Sequence, residues 1–349
     1  MVTHLKYLAS FYFPCCVVVF LYTGPHTAMN ALAWTMSLWL IILADFISPK
    51  INPNIREESI STYYYDAILY ALTAIQFLII SLLLIYASQL QWNSASDWIS
   101  SIVNLIVMRI LVGTTSGSSA IIVAHELIHR PQLHMRIMGR LLLYTVCYDH
   151  FVISHLRSHH LTVATPEDIT TARLDESFSH YWKRVLPGHF KYAWRSEMER
   201  LKQAQATGFF HCLLANTVLQ GLFVEVSLLI FILINFGWVA TFIFLVQALS
   251  GVRLLETINY YQHWGLTQGR EIGTLAWVNQ SRVTEYALLG LSNHLAHHQN
   301  SAKPFQEIPY IEHGPKMPYG YFVTNLWVKL NNTSYRKSAK GRVENFFQQ

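Results

Sequence analysis

The sequence is poor in charged residues. Of its 349 residues, only 13% are Asp, Glu, Lys or Arg, whereas 52% are apolar. A soluble domain carries about a quarter of its residues charged, so this composition excludes a water-soluble globule of this size. The four cysteines include no Cys-x-x-Cys pair, which argues against a disulfide framework. The net charge of +5 is too small to indicate a nucleic-acid partner.

Long apolar runs take the place of the missing charge. A helix needs about 20 predominantly apolar residues to cross the hydrocarbon layer of a bilayer. Six stretches meet or nearly meet that length: about 7–24, 27–48, 66–88, 98–122, 208–234 and 237–258. We therefore predict an all-α integral membrane protein, with six transmembrane helices in a single membrane domain over residues 1–349.

The basic residues predict how these helices are oriented, since loops rich in Lys and Arg stay in the cytoplasm. Of 25 Lys and Arg residues, 23 fall on one side of the predicted spans, and only Arg109 and Arg253 lie inside spans. Both termini are therefore expected in the cytoplasm, with the chain in the inner (cytoplasmic) membrane. Segments 123–207 and 259–349 would form a cytoplasmic cap. Because charge within a span is costly, Arg109 is expected to pair with Glu225.

Histidine is the unusual component, with 17 residues in the chain. Nine of them fall into four compact groups on the predicted cytoplasmic side: His125 and His129; His155, His159 and His160; His263; and His294, His297 and His298. Spacings of three and four residues put imidazoles on one helix face, about a turn apart. Such a pair can bind one metal ion, and an adjacent extra histidine can turn toward a second. We predict that these nine are metal ligands.

One of the groups also fits a different chemistry. His125-Glu126-Leu127-Ile128-His129 matches the zinc-protease signature, in which Glu126 would be the general base. Zinc takes three or four protein ligands, so most of the nine histidines would not be ligands of a single zinc ion. Two redox metal ions that activate O2 explain the nine histidines and a lipid-embedded cavity better. An intramembrane zinc metalloprotease is therefore the second hypothesis.

At these residues the sequence resembles the integral-membrane non-haem di-iron enzymes, and among them the alkane 1-monooxygenase and xylene monooxygenase family. That family carries HELGH, HNRGHH, NYxEHYG and LQRHSDHH, in this order, on six transmembrane helices. Here the corresponding strings are HELIH at 125–129, HLRSHH at 155–160, NYYQHWG at 259–265 and LSNHLAHH at 291–298. The likeness covers about residues 30–330. Fatty-acid desaturases share the histidine pattern but lack the NYxxHxG element.

The resemblance implies a cytoplasmic His-rich di-iron cap in which the nine histidines bind two iron ions. It also implies hydroxylation of an unactivated C–H bond, such as the terminal methyl of an alkane or alkyl chain, with O2 as co-substrate. Electrons from NAD(P)H would arrive through a reductase and a rubredoxin or ferredoxin-type carrier. The chain itself has no GxGxxG motif and no clustered cysteines for a nucleotide or an iron–sulfur centre. A fatty acid or lipid hydroxylase or desaturase of the same superfamily is the alternative.

The chain departs from the family pattern at several positions beside the histidines. Ser154, Gln262 and Ala296 stand where the family usually carries acids, and Asn293 replaces an arginine. Carboxylates beside ligand histidines orient the imidazoles and raise their basicity. These departures leave the metal prediction intact but weaken the assignment of an alkane as the substrate.

Two acids are candidate catalytic residues. Glu126 lies between two predicted ligands and is expected to hold a ligand N–H or to relay a proton. Glu256 lies two helical turns before His263 and therefore on the same helix face. It is expected either to support the metal site or to form an ion pair with Arg253, one turn earlier.

Overall fold

The computed structural model describes residues 3–51, 61–204, 208–267 and 275–348. Within these ranges all regular structure is helical, apart from two isolated bridges, Lys50 to Ser281 and Val278 to Lys316. In chain order, helices α1 to α16 are Tyr12–Thr23, Ala28–Trp34, Met36–Phe46, Thr62–Ser88, Ala95–Thr115, Ile121–Ile128, Leu133–Tyr144, Phe151–Ser154, His160–Thr162, Phe178–Gln203, Phe209–Ala215, Thr217–His263, Arg282–Ala287, His294–Gln299, Tyr321–Leu330 and Asn332–Phe347. The all-α prediction is confirmed for this part of the chain.

Five helical stretches in the described residues are long and apolar enough to cross a membrane: Leu5–Thr23, Ala28–Phe46, Thr62–Ser88, Ala95–Ile128 and Thr217–His263. The first includes a 3₁₀ helix, Thr3–Phe11, that leads into α1. The fourth runs from α5 through a π-helical turn, Ser116–Ala120, into α6. These stretches agree with an integral membrane protein. Predicted spans 208–234 and 237–258 appear as the single stretch α12.

Helix α12 consists of two helices joined at Gly237, whose φ of 82° and ψ of 178° are not helical. Glycine adopts a positive φ without a Cβ clash. Glu225, before the break, accepts a hydrogen bond from the Asp149 N–H at 3.0 Å. Gln247, after the break, donates to the Thr145 carbonyl at 2.8 Å. Because both halves reach the same short segment, the chain folds back at Gly237.

Two sequence predictions about this region are wrong. The predicted span 208–234 begins too early, since Phe209–Ala215 is a separate helix and Asn216 caps α12 by accepting hydrogen bonds from two backbone N–H groups. The expected pair between Arg109 and Glu225 does not form either. Glu225 bonds to the Asp149 backbone instead, and Arg109 lines a cavity.

Helices α5 and α12 approach each other closely through glycine. A Cβ on Gly117 would lie 2.7 Å from the Cβ of Leu254 and 2.8 Å from the carbonyl oxygen of Gly251. A Cβ on Gly113 would lie 2.5 Å from the Cβ of Ser250. Small residues four apart allow this close packing between membrane helices. As a result, α6, which continues α5, and the end of α12 lie side by side.

We expect Gly117→Ala to destabilise the protein by about 1–3 kcal/mol, because the added methyl overpacks this contact. Gly341→Ala is the matched control, since a Cβ there meets nothing within 4 Å. In the interior of α16 the control gains helix propensity and keeps or slightly raises stability. Thermal unfolding of the detergent-solubilised protein measures both. Equal melting temperatures for Gly117→Ala and the wild type would contradict the close-approach argument.

Candidate metal centre

The structure brings all nine motif histidines together in two adjacent groups. In each group every residue offers one ring nitrogen, and these nitrogens all lie within 4.8 Å of one another. The first group, called here the five-histidine group, is His125, His129, His155, His160 and His297. The second, the four-histidine group, is His159, His263, His294 and His298. Nine side chains from distant parts of the sequence therefore converge at the ends of α6 and α12.

The second motif is divided between the groups by a π-helical turn. Residues His155–His159 form this turn between α8 and α9. A π turn is wider than an α turn, so it is His160, not His159, that faces the same way as His155. Their Nε2 atoms are 2.9 Å apart, and His159 turns to the four-histidine group. The expectation that a spacing of four residues shares one metal is therefore wrong for this motif.

The other motifs follow ordinary helical geometry. His125 and His129, one turn apart at the end of α6, both join the five-histidine group. In α14, His294 and His298 have their Nε2 atoms 3.0 Å apart in the four-histidine group. The neighbouring His297 turns to the other group. This agrees with the expectation that an adjacent extra histidine reaches a second position.

Burial favours the neutral form of several imidazoles in the site. Burial, followed by the charge that a neighbouring protonated imidazole would carry, lowers the pKa values of His155, His294, His297 and His298 well below the ordinary range. The same two causes lower the pKa of His129 to about 4. A neutral imidazole has a free lone pair and is the form that binds metal ions.

The two groups fit metal ions in geometry as well as in protonation. The Nε2 atoms of His129 and His155 are 3.1 Å apart, and so are those of His263 and His294. Nε2 of His159 is buried and has no hydrogen-bond partner among the described residues. Buried polar atoms are normally paired, and a cation between these converging nitrogens would pair them. Imidazole sets of this kind suit iron, zinc, copper or nickel.

Two histidines of the four-histidine group are oriented by bonds from their other ring nitrogen. Nδ1 of His159 donates to Asp168 at 2.9 Å, and Nδ1 of His263 donates to the Leu275 carbonyl at 2.9 Å. Burial acts to raise the pKa of Asp168, but the charge and hydrogen bond of His159 outweigh it and hold this pKa below its usual range. The Asp168 carboxylate therefore fixes the His159 tautomer and leaves Nε2 free for a metal. Sequence alone did not distinguish Asp168 from ordinary loop acids.

Glu256 is fully buried in a polar cluster next to the histidines. Its carboxylate accepts hydrogen bonds from the hydroxyls of Tyr148 at 3.2 Å and Tyr181 at 3.1 Å, and from the Asn259 amide at 3.2 Å. The expected ion pair with Arg253 does not form. The guanidinium of Arg253 instead lies 5.6 Å from the centre of the Phe178 ring.

His189 completes this cluster and was missed by sequence reasoning. Its Nε2 lies 3.4 Å from Glu256, and its Nδ1 lies 2.8 Å from the hydroxyl of Ser154, beside His155. The available signal was the buried face of α10, where Tyr181, Val185 and His189 recur every four residues. Ser154, which replaces a family acid, is thus linked through His189 to a carboxylate.

Glu126 is buried but bonds to other partners. Its carboxylate accepts from Nε of Arg130 at 2.9 Å and from the Phe305 N–H at 3.2 Å. Among the described residues no hydrogen bond joins Glu126 to a motif histidine. The catalytic roles of Glu126 and Glu256 stay predictions.

The remaining residues that depart from the expected family pattern, Gln262, Asn293 and Ala296, are all buried. Gln262 donates to the Tyr321 hydroxyl at 2.9 Å, and its own side-chain oxygen is buried without a partner in the described chain. Asn293 donates to Glu285 at 3.0 Å, and Ala296 is buried. A carboxylate therefore lies beside Asn293 but not beside Gln262.

Comparison with known proteins places the chain in a family. Residues 100–326 match the fatty acid desaturase family model. Over 238 residues the chain is 33% identical to alkane 1-monooxygenase 1 of Pseudomonas aeruginosa, covering 66% of this chain and 59% of the relative. It is 25% identical over 334 residues to alkane 1-monooxygenase 2 of Alcanivorax borkumensis, covering 90% of this chain and 86% of that one. It is 26% identical over 208 residues to the xylene/toluene monooxygenase hydroxylase component of Pseudomonas putida, covering 58% of this chain and 55% of that one.

Membrane-length helices around two buried histidine groups define a histidine-rich integral membrane protein. The chain belongs to the fatty acid desaturase family. Within it, the predicted resemblance to the alkane 1-monooxygenase and xylene monooxygenase branch is confirmed. The match spans about six-tenths of the length of several of these relatives, 59% and 62% for the two from Pseudomonas aeruginosa.

We expect Asp168→Asn to weaken metal retention about tenfold or more, the usual range for the loss of a partner that orients a ligand histidine. The amide keeps the shape of the side chain but loses the charge that supports His159. Asp175→Asn is the control, since Asp175 is exposed and pairs with Lys340. Metal retained by each variant after dialysis against a graded chelator is the measurement. Equal retention by Asp168→Asn and the wild type would show that Asp168 does not support the site.

Proposed function

We propose that the protein hydroxylates an unactivated C–H bond, the terminal methyl of an alkane or alkyl chain, using O2 at a histidine-ligated di-iron site. The observation that carries this proposal is the pair of buried histidine groups with converging nitrogens. The names of its relatives, alkane 1-monooxygenase and xylene/toluene monooxygenase, support the same chemistry. One oxygen atom of O2 enters the product and the other leaves as water, with two electrons and two protons supplied.

The five-histidine group and the four-histidine group would each hold one iron ion. Iron supplies the O2 activation that no amino-acid side chain can perform. The protein orients the imidazoles through Asp168 and the Leu275 carbonyl. The buried, mostly apolar surroundings of the histidines exclude water from them.

A small space beside the histidines would receive the chain end of the substrate. This inner cavity has a volume of about 20 Å³, and its wall includes His125, His155 and His294. Apolar side chains make up most of the rest: Ile121, Ile122, Phe151, Leu255, Ile258 and Leu291. Such a narrow apolar space fits a methyl end and holds it in place, which is the positioning that C–H chemistry requires.

Glu256 would act through Asn259. Asn259 lines the inner cavity and donates its amide N–H to the Glu256 carboxylate. The Tyr148 and Tyr181 hydroxyls fix that carboxylate from the other side. Glu256 is therefore proposed as a positioning residue that keeps the cavity wall in place.

We further propose six spans, with both termini in the cytoplasm and the chain in the inner membrane. The fold-back at Gly237 supports two crossings within Thr217–His263. A straight helix of that length would be about 70 Å long, more than twice the hydrocarbon thickness. The distribution of 23 of 25 basic residues on one side supports the orientation.

Electrons are proposed to come from NAD(P)H through a reductase and a rubredoxin or ferredoxin-type carrier. The sequence carries no motif for a nucleotide or an iron–sulfur cluster. The basic residues on the predicted cytoplasmic side would attract an acidic carrier and raise its encounter rate.

Two alternatives compete with this proposal. The fatty acid desaturase family model favours a fatty acid or lipid hydroxylase or desaturase as the first. The second is the zinc metalloprotease. It is disfavoured because Glu126, its general base, is bonded to Arg130 and to the Phe305 N–H.

The test is reconstitution of the iron-loaded protein in lipid nanodiscs with NADH, reductase, rubredoxin and hexadecane under labelled ¹⁸O2. We expect labelled 1-hexadecanol only when every component is present, because the chain cannot take electrons from NADH directly. Turnover should fall as salt rises, since salt screens carrier docking. His160→Ala is the inactive control.

Three results would contradict the proposal. They are NADH oxidation by the isolated protein, an alkene product without the oxygen label, and cleavage of peptide bonds with zinc bound.

A further inference from the structure

A larger cavity adjoins the inner cavity. This outer cavity, of about 270 Å³, lies among α3, α5, α12 and α15. Ile258 lines both cavities, and Tyr321, in the wall of the outer one, receives a hydrogen bond from Gln262, in the wall of the inner one. A ligand in the outer cavity is therefore one side chain away from the space beside the histidines.

The outer cavity follows the helices toward the histidines. On α5 and its π-helical extension it is lined by Arg109, Thr114 and Ser118. His125 comes two turns after Ser118 on the same stretch. On α12 the lining positions Ser250, Leu254 and Ile258 recur every four residues and so share one face. That face leads to Gln262 in the inner cavity.

The end of the outer cavity away from the histidines carries positive charge. Arg109 and Lys329 both line it. The side chains of Arg109, Lys329 and Arg253 are close enough for their charges to act on one another. Within the described residues no carboxylate forms an ion pair with any of them.

Arg109 and Lys329 are not neutralised by any carboxylate of the described residues. Arg109 is exposed on a membrane-length helix, where an unpaired charge is costly and usually has a functional partner. Asn325, one turn before Lys329, also lines the cavity, and a side-chain amide carries N–H groups that can donate to an anion. Beyond this polar end the wall of the outer cavity is largely apolar and includes Leu254 and Ile258. The lining therefore suits a molecule with one anionic end and one alkyl end.

The distance along the helix indicates a long alkyl chain. Arg109 precedes His125 by 16 residues, which is about 24 Å of helix. An extended chain advances about 1.2 Å per single bond, so an acid of about sixteen carbons covers most of this distance.

We propose that the outer cavity binds a long-chain amphiphile with a carboxylate head group, seated on Arg109 and Lys329 with its methyl end toward the histidines. This assignment names a substrate class and rests on the hydroxylase function proposed above. The oxidation would then occur at the carbon farthest from the carboxylate, because the anion fixes the opposite end. A neutral alkane of equal length would lack the anchoring contact.

Binding to the purified, iron-loaded, full-length protein, with no reductase or carrier present, tests the site without turnover. The probes are radiolabelled hexadecanoic acid and its methyl ester, which has the same chain but no charge. We expect the acid to bind at least about tenfold more tightly, and Arg109→Gln and Lys329→Gln each to weaken acid binding about tenfold, as expected for loss of a charged contact. Lys337→Gln, an exposed cation on α16, is the control and keeps wild-type affinity.

Thermal unfolding shows which variants fold. If Arg109→Gln does not fold, Lys329→Gln tests the same site independently. Equal binding of acid and ester by the wild type overturns the proposal. So does unchanged acid binding in both glutamine variants.

Products from the reconstituted enzyme separate this proposal from the function on which it rests. Two results together support both the carboxylate site and the hydroxylase function. The wild type forms more ω-hydroxyhexadecanoic acid than hexadecanol, and Arg109→Gln lowers the ratio of these two products. Arg109-dependent binding with no hydroxylated product supports the site and overturns the hydroxylase. Hydroxylation of hexadecane with no preference for the acid supports the hydroxylase and overturns the site.

Discussion

The close packing of α5 against α12 is the contact on which the rest of the structure depends. Gly113 and Gly117 leave no room for a Cβ at this interface, and a Cβ on Gly251 would be tightly packed there, so the two helices lie side by side. Helix α6, which continues α5, carries His125, and the end of α12 carries His263, one in each histidine group. Helix α12 lines both cavities, together with α5 in the outer cavity and α6 in the inner one. A shift in this contact would therefore change the histidine groups and both cavities together.

A second constraint is the free-energy cost of placing nine imidazoles, all buried or half-buried, close together. Burial lowers the pKa values of several of them, and a neutral imidazole needs a partner for its lone pair. The Asp168 carboxylate and the Leu275 carbonyl take the opposite N–H of two of them. Six Nε2 atoms lie about 3 Å from a neighbouring Nε2, those of His129, His155, His160, His263, His294 and His298. Under the proposed function, a metal ion in each histidine group would satisfy these nitrogens.

The sequence predicted much of this because the signals were local. Apolar length predicted the membrane helices, and the gap between the predicted spans 208–234 and 237–258 anticipated the helix break at Gly237. The spacing of histidines predicted which side chains meet. Sequence did not predict the division of His155, His159 and His160, because a π turn is not encoded in spacing alone. It also left Asp168 undecided and missed His189, since only the fold shows that these polar residues are buried beside the histidines.

The central claim is that each histidine group holds one iron ion, and iron content per chain tests it most directly. The protein would be expressed with iron and purified without oxygen, together with His129→Ala from the five-histidine group and His298→Ala from the four-histidine group. Exposed His134→Ala is the control. We predict about two iron ions per chain in the wild type and the control, with at least one lost in either group variant. One tightly bound zinc ion, or full iron content in both group variants, would contradict the account.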